Sequence, residues 1–305
     1  VIPRSAREAL EEALGDRVRF DFPLARCTSL KIGGPVDALA TPATREEVAR
    51  TLAICAAHQI PHCVIGGGFN TLALDDRLEG VAIQLGKLRG LEERPDCSLR
   101  VEAGVSHNQL TNFCIERGLT GLEFGCGIPG SIGGWLAMNA GIPGREVKDV
   151  VQEIEVISPT GREVRHIPRA ELRFVYRALR GLAPGSVILS ALFSVTLSDT
   201  KTVREEVARL LAARQGSQPL NVPSCGSVFV NPPGDFAGRL IDAAGLKGHR
   251  LGGAEISPIH ANFIANRGGA TAADVLALIQ KAQAAVWQTA GVRLVTEVRI
   301  IGGKP

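Results

Sequence analysis

Residues Gly121 to Gly144, GLEFGCGIPGSIGGWLAMNAGIPG, form a nearly uncharged run punctuated by glycine. Gly125, Gly127, Gly130, Gly133 and Gly134 surround Ile128-Pro129 and Ser131-Ile132. A glycine has no Cβ, so a cofactor can lie against bare backbone there. The N–H groups of such a turn, above all at a helix N-terminus, bind phosphate oxygens. Gly66-Gly67-Gly68-Phe69-Asn70 is a second candidate cradle for a pyrophosphate, placed after a short apolar segment at 61–65. Three polar residues stand out elsewhere. Arg177 follows Tyr176, the only tyrosine; Ser227 sits between Gly226 and Val228; Glu297 lies within Leu294–Ile300. Taken singly, each has a plain account: a surface arginine, a turn serine, and the exposed side of an alternating strand.

The spacing Gly125-x-Gly127-x-x-Gly130 matches a dinucleotide fingerprint, but that pattern matters only between a strand and a helix. Pro129 stands inside it, and Leu122-Glu123-Phe124 is too short for a buried parallel strand. No P-loop pattern occurs.

The elements that must hold these residues follow from periodicity and caps. A leading helix over residues 1–20 carries the stripe Ala6, Leu10, Leu14, with Ser5 as its cap. Thr44 caps a helix whose first turn holds Glu46 and Glu47. Strands are expected at 81–85 and 99–103, and Ser106 opens a helix. Residues 151–158 and 163–167 form a hairpin about Pro159-Thr160-Gly161. A long strand is expected at 187–197. A helix at 202–215 follows, with Val203, Val207, Leu210 and Leu211 on one face. Thr271 caps a long helix ended by Gly291, and 294–301 reads as the last strand. Helices and strands alternate with hairpins mixed in, which predicts an α+β architecture rather than a doubly wound sheet. The boundary is placed at Ser198-Asp199-Thr200.

Composition narrows the function. The chain has 305 residues, a net charge of +3, and 45% hydrophobic against 21% charged residues. That is a globular balance with nothing to recommend nucleic acid as a partner. The seven cysteines are irregularly spaced without C-x-x-C, so reduced cytosolic thiols are expected rather than disulfides or structural zinc. His58 and His62 flank Pro61 and read as a surface turn, not a metal pair. The start of the chain is charged and amphipathic, unlike a signal peptide, and no apolar run approaches a membrane span.

The run GLEFGCGIPGSIGG…MNAG strongly resembles the UDP-N-acetylenolpyruvoylglucosamine reductases, flavoenzymes of peptidoglycan precursor synthesis. Further motifs agree in order over about residues 21–303. They are Thr28-x-x-x-Ile32-Gly33-Gly34, Gly66–Asn70, Tyr176-Arg177, Gly226-Ser227-Val228-Phe229-x-Asn231-Pro232, His260-Ala261-Asn262-Phe263-Ile264 and Glu297-Val298-Arg299. The resemblance implies a two-subdomain FAD-binding fold of the vanillyl-alcohol oxidase type plus a C-terminal α+β substrate-binding domain. The domains expected are a lead-in at 1–20, an FAD-binding domain at 21–199 (subdomains of about 21–85 and 86–199), and a substrate domain at 202–303. The resemblance implies FAD bound non-covalently, by Ile65, Gly66, Gly67, Gly68, Phe69, Asn70 and Thr71 and by Gly127, Pro129, Gly130, Ser131, Gly133, Gly134, Asn139, Ala140 and Gly141.

The same resemblance implies hydride transfer from NADPH through FAD to the enolpyruvyl C3 of UDP-N-acetylglucosamine enolpyruvate. Arg177 and Glu297 are implied to stabilise the enolate beside the substrate carboxylate, with Glu297 needing a raised pKa to donate a proton. Ser227 is implied to protonate C2. Tyr176, Asn231, His260 and Asn262 are implied to bind substrate. A cytoplasmic monomer is expected, with no metal, nucleic-acid or membrane partner, in the shorter form of the family.

The chain departs from the family pattern at four positions. Phe69 and Leu179 replace serines, Val230 replaces a lysine, and Cys225 stands where alanine is common, read as a neutral small residue whose thiol could alternatively make the site oxidation-sensitive. Lys247, His249 or Arg250 can stand in for the missing lysine. Two alternatives stay open: another FAD oxidoreductase of this fold acting on an alcohol or sugar, and a nucleotide-sugar binder that has lost the chemistry.

Overall fold

The computed structural model of the chain describes residues 2–215, 219 and 221–303; Val1 of the expected leading segment lies outside them. The chain forms two compact units. One gathers the residues up to Phe20, Ala38–Gly67 and Gly80–Arg214. The other gathers Asp21–Asp37, Gly68–Glu79 and the chain from Gln215 onward.

In the first unit, helices α1 (Arg4–Leu14) and α2 (Arg45–Ala57) pack on a four-stranded sheet. Its strand order is Val18–Pro23, Pro35–Ala40, Leu78–Ile83, His62–Val64. Ala6, Leu10 and Leu14 are buried, as their spacing predicts. The cap is not Ser5, which lies inside the helix. Pro3 holds the N-cap, and its carbonyl accepts from the N–H groups of Ala6 and Arg7. Thr44 caps α2 through the N–H of Glu47 at 3.2 Å, as expected.

A second, antiparallel sheet of the same unit has the order Val164–Pro168, Val151–Ile157, Val187–Ser194, Ser98–Glu102, Leu91–Arg94. Helices α3 (His107–Arg117) and α4 (Ile132–Ala137) cover one face, where Val101, Ile154, Ala191 and Phe193 meet Leu110, Trp135 and Leu136. The other face sends Ile157, Val187 and Leu189 into the core of α1 and α2. Ile154 and Ile157 differ in parity and serve the two cores by alternation, whereas Val187 and Leu189 share parity with Ala191 and Phe193, so their strand changes face at the register shift opposite Glu155 and Val156. The long strand expected at 187–197 is broken after Ser194, and Thr196–Leu197 turns away to pair with Leu119–Thr120. Helix α5 (Thr200–Gln215) opens on Asp199, which accepts from the N–H of Thr202 at 2.9 Å. Val203 and Val207 are buried, but Leu211 is 37% exposed, so its apolar stripe is narrower than expected.

In the second unit, a sheet ordered Ser224–Ser227, Phe263–Asn266, Ala254–Ile256, Arg250–Leu251 carries α6 (Ala237–Ala243) and α7 (Ala272–Ala290). The capping box of Thr271 and Asp274 and the left-handed Gly291 bound α7 as predicted. Leu30, Ile32 and Leu72, from early in the chain, complete the core of Leu240, Ile241, Val275, Leu278 and Val286. The hydroxyl of Thr28 clips this early segment, donating to Ile32 O at 2.7 Å and accepting from its N–H at 3.2 Å.

The last strand is shorter than expected. Arg299–Ile301 pairs in parallel with Thr71–Ala73, whereas the stretch before it runs beside Val228–Val230 through a single bridge, Phe229 to Thr296. No helix among the described residues is long and apolar enough to cross a membrane.

Candidate active site

In the first unit the two glycine-bearing turns meet. Strand His62–Val64 delivers Ile65, whose N–H donates to Ile83 O at 2.9 Å. Gln84 then donates to Gly66 O at 3.3 Å. A Cβ on Gly66 would lie 3.1 Å from Ser131 Oγ. Ser131 is the N-cap residue of α4, yet its hydroxyl makes no capping bond, and the first helical turn holds no acidic residue. Bare backbone, an uncommitted hydroxyl and a positive helix end fit a phosphate-bearing cofactor such as FAD.

Other glycines of the central run serve packing. A Cβ on Gly125 would press on His107 and Trp135 at 3.1 Å, and one on Gly133 would press on Ala103 at 3.1 Å. Part of the stretch is therefore glycine-rich for close packing rather than for a ligand. Trp135, fully enclosed by His107, Phe124 and Phe193, keeps its Nε1 without a hydrogen-bond partner among the described residues. Burial beside Trp135, with the Arg214 charge adding to it, holds the His107 pKa down at about 3, so its ring is neutral.

Tyr176 and Arg177 form the tip of a hairpin, Arg173–Val175 with Ala178–Arg180, in which Val175 pairs with Ala178. Arg177 has φ 60°, a left-handed conformation. Its guanidinium lies 5.0 Å from the centre of the Tyr176 ring. Arg214, on the last turn of α5, donates to Cys126 O at 3.2 Å. Burial lowers its pKa, and the nearby Arg177 charge lowers it further. Sequence reasoning passed over Arg214, which reads as one more charge on an amphipathic helix.

Asn139 is fully buried. Its Nδ2 donates to Glu146 Oε2 at 3.0 Å and to Val175 O at 3.1 Å, and its Oδ1 accepts from Lys148 N at 3.3 Å. Ala140 N–H donates to Trp135 O, and Gly141 pairs with Glu146 in a short ladder.

The second unit assembles the rest. Gly68 has φ 70°, and a Cβ there would lie 2.1 Å from Cys27 O, so the backbone packs directly on backbone. The N–H of Ser29 donates to Gly68 O at 3.1 Å, and its single hydroxyl proton, within reach of Gly68 O at 3.0 Å, is directed at the nearer Ser224 O at 2.7 Å. This one serine ties the glycine loop to the strand bearing Ser227, an assignment that its bland sequence context did not suggest. Phe69 is exposed, whereas Thr71 is buried in the parallel ladder.

Ser227 and Glu297 lie on adjoining segments: Glu297 N–H donates to Val228 O at 2.8 Å. Both are half-buried. Asn262 clamps the strand beyond Ser227, accepting from Phe229 N–H at 2.9 Å and donating to Phe229 O at 2.8 Å. Asn231 accepts from Ala237 N–H at the start of α6. His260 Nδ1 accepts from Asn262 N–H, and burial lowers its pKa.

Of the three bases suggested for the role of the missing lysine, Lys247 pairs with Asp242 at 2.7 Å and Arg250 with Glu255 at 3.3 Å. His249 Nε2 is buried with no partner among the described residues. The Cys225 thiol is fully buried and its pKa is pushed up to about 12, which fits the reading as a neutral small residue rather than a reactive thiol.

Comparison with known proteins agrees with this arrangement. Residues 36–166 match a family profile described as an FAD binding domain. Residues 218–301 match that of the UDP-N-acetylenolpyruvoylglucosamine reductase C-terminal domain. The chain is 42% identical over 296 residues to the UDP-N-acetylenolpyruvoylglucosamine reductase of Geotalea uraniireducens, covering 97% of this chain and 98% of that one. It is 45% identical over 293 residues to the Geobacter metallireducens enzyme of the same name, covering 96% and 97%. The crystal structure of UDP-N-acetylenolpyruvylglucosamine reductase (MurB) from Thermus caldophilus superposes with a TM-score of 0.80 at 34% identity, covering 93% and 98%. Wild-type Phl p 4.0202, a glucose dehydrogenase, matches at a TM-score of 0.50 and 11% identity over 65% of this chain and 45% of that one, a likeness of fold alone. The α+β fold is therefore the two-subdomain flavin-binding fold of the vanillyl-alcohol oxidase type with a C-terminal α+β domain. The chain belongs to the UDP-N-acetylenolpyruvoylglucosamine reductase family.

Proposed function

We infer that the chain reduces UDP-N-acetylglucosamine enolpyruvate to UDP-N-acetylmuramate in peptidoglycan precursor synthesis, using FAD and NADPH. The observation that carries this reading is the junction at Val228 O, which sets Glu297 beside Ser227 within one unit. FAD, held there, would supply the hydride chemistry that links NADPH to the enolpyruvyl C3.

The protein's own residues do the rest. Ile65–Thr71 and Gly127–Gly141 hold the cofactor, chiefly through main-chain N–H groups and the Ser131 hydroxyl. Arg177 grips the substrate carboxylate through its planar guanidinium. Glu297 stabilises the enolate charge where that charge develops. Ser227 gives its hydroxyl proton to C2, so hydride at C3 and proton at C2 together saturate the double bond. Tyr176, Asn231, His260 and Asn262 line the substrate's path. The bonds of Asn231 and Asn262 support a role in shaping the Ser227 strand as well.

We assign the cofactor domain to 21–199, the substrate domain to 202–303 and the lead-in to 1–20, on the motifs each carries. A cytoplasmic monomer without nucleic-acid or membrane partners suits the net charge of +3. Light scattering of the purified protein tests the monomer. Steady-state NADPH oxidation by FAD-loaded protein tests the reaction: turnover that depends on the enolpyruvyl nucleotide sugar is expected. FAD found covalently attached, with an alcohol or sugar as reductant, would favour the alternative oxidoreductase, and absence of flavin and turnover the non-catalytic binder.

A further inference from the structure

Asn139 is a polar side chain at 0% exposure. A buried carboxamide is costly unless its two N–H donors and its carbonyl are satisfied. Here each N–H has its own acceptor, Glu146 Oε2 and Val175 O, and Oδ1 accepts the Lys148 N–H. Both donors and the carbonyl are thus engaged within the protein. The backbone at Asn139 has φ 42°, a left-handed conformation that asparagine tolerates better than most residues. The position therefore selects for a residue that can take this turn and still project a carboxamide into the core.

The target at Val175 gives the bond its meaning. Val175 is the last residue of its strand, and its hairpin partner is Ala178. Tyr176 and Arg177 are the whole of the connecting turn. Arg177 is itself left-handed at φ 60°, a conformation unfavourable for a non-glycine residue. Such a conformation persists only where the surroundings over-determine it. The Asn139 amide grips the carbonyl at the entry of that turn. Its second donor is anchored on Glu146, which also pairs with the Lys148 ammonium and raises the Lys148 pKa. Arg169, stacked 5.1 Å from the centre of the Phe174 ring, donates to Lys148 O at 2.8 Å and closes the circuit on the hairpin.

We propose that Asn139 is a positioning residue for Arg177, setting the Tyr176-Arg177 turn through Val175 O rather than holding cofactor through its side chain. This rests on the reading of Arg177 as the cation that grips the substrate carboxylate.

The tests use the full-length FAD-loaded enzyme. Asn139→Gly keeps the left-handed backbone and deletes all three side-chain bonds. Flavin content and the rate of flavin bleaching by NADPH are expected to stay within about twofold, while reoxidation by the enolpyruvyl nucleotide sugar falls about 10²-fold, as a small displacement of a positioned group does. In the Arg177→Ala background, Asn139→Gly is expected to add little further loss.

Because Tyr176 is the only tyrosine, 3-fluorotyrosine labelling gives one fluorine resonance on this turn, readable without turnover. It is expected to shift or split in Asn139→Gly. Asn139→Asp sets a carboxylate against Val175 O and Glu146, and its reoxidation rate is expected to recover as pH falls and the new acid is protonated into a donor.

Loss of bound flavin with an unmoved fluorine resonance would overturn the proposal in favour of a cofactor ligand. Losses from Asn139→Gly and Arg177→Ala that simply add would also overturn it. A silent Arg177→Ala beside a slow Asn139→Gly would overturn the reading of Arg177 and with it this route of action.

Discussion

The side-chain amide of Asn70 donates to the main-chain carbonyl of Glu297 at 3.2 Å, and the N–H of Arg299 donates back to Asn70 O at 3.1 Å. Both bonds lie in one compact unit and bracket Val298. An asparagine in the glycine-rich loop thereby fixes the backbone of Glu297. Asn70→Ala is expected to lower stability by about 1 kcal/mol, the ordinary worth of such a bond. It is also expected to slow substrate-dependent flavin reoxidation. Thermal melting and rapid-mixing absorbance read the two effects separately.

The Arg177 backbone makes a second prediction. Arg177→Gly relieves the left-handed strain that Arg177→Ala retains, so the glycine variant is expected to be more stable than the alanine variant by about 1 kcal/mol. Both are expected to lose substrate reduction. Equal melting temperatures would show that the turn is not strained.

Gly66 and Gly68 separate the cofactor cradle from packing. A Cβ at Gly66 meets only the Ser131 hydroxyl at 3.1 Å, so Gly66→Ala is expected to fold and to bind FAD more weakly, read as flavin content after dialysis. A Cβ at Gly68 would lie 2.1 Å from Cys27 O at positive φ, so Gly68→Ala is expected to lose fold stability outright.

His107 predicts a pH dependence of stability. Burial lowers its folded pKa to about 3, against an ordinary value of about 6.5 for the unfolded chain. The unfolded state therefore binds the proton that the folded state refuses. The stabilisation is complete above about pH 6.5 and is lost as pH falls toward 3. His107→Gln is expected to flatten the fall in melting temperature over that window. An unchanged slope would contradict the buried neutral ring.

The thiols give a chemical check on burial. Cys55, Cys114 and Cys225 are buried with pKa values pushed up to about 12, whereas Cys97 is exposed. A disulfide reagent is expected to modify Cys97 first and to leave Cys225 untouched until the protein unfolds. Early labelling of Cys225, located by peptide mass, would contradict the packing around Ser227.

Much of this fold was legible because its signals are local. The Ser106 and Thr271 capping boxes, the α1 stripe and the hairpin at 159–161 all follow from spacing and turn chemistry. The misses have non-local causes. Ser5 lost its cap to the carbonyl of Pro3. Leu294–Val298 alternates like a strand, but its neighbour, Val228–Val230, offers only one ladder rung before the chain moves on to Thr71. Of the site, the motifs were readable and their supports were not. Ser29, Asn70 and Asn139 act through carbonyls 195, 227 and 36 residues away, and no local pattern encodes such a partner.

The central claim is that Ser227 delivers the C2 proton. The most direct measurement is anaerobic rapid mixing of FAD-loaded Ser227→Ala, first with NADPH and then with UDP-N-acetylglucosamine enolpyruvate. The account predicts flavin bleaching by NADPH at the parent rate, followed by reoxidation slowed about 10²–10⁴-fold, the usual worth of a general acid. Reoxidation at the parent rate would contradict it.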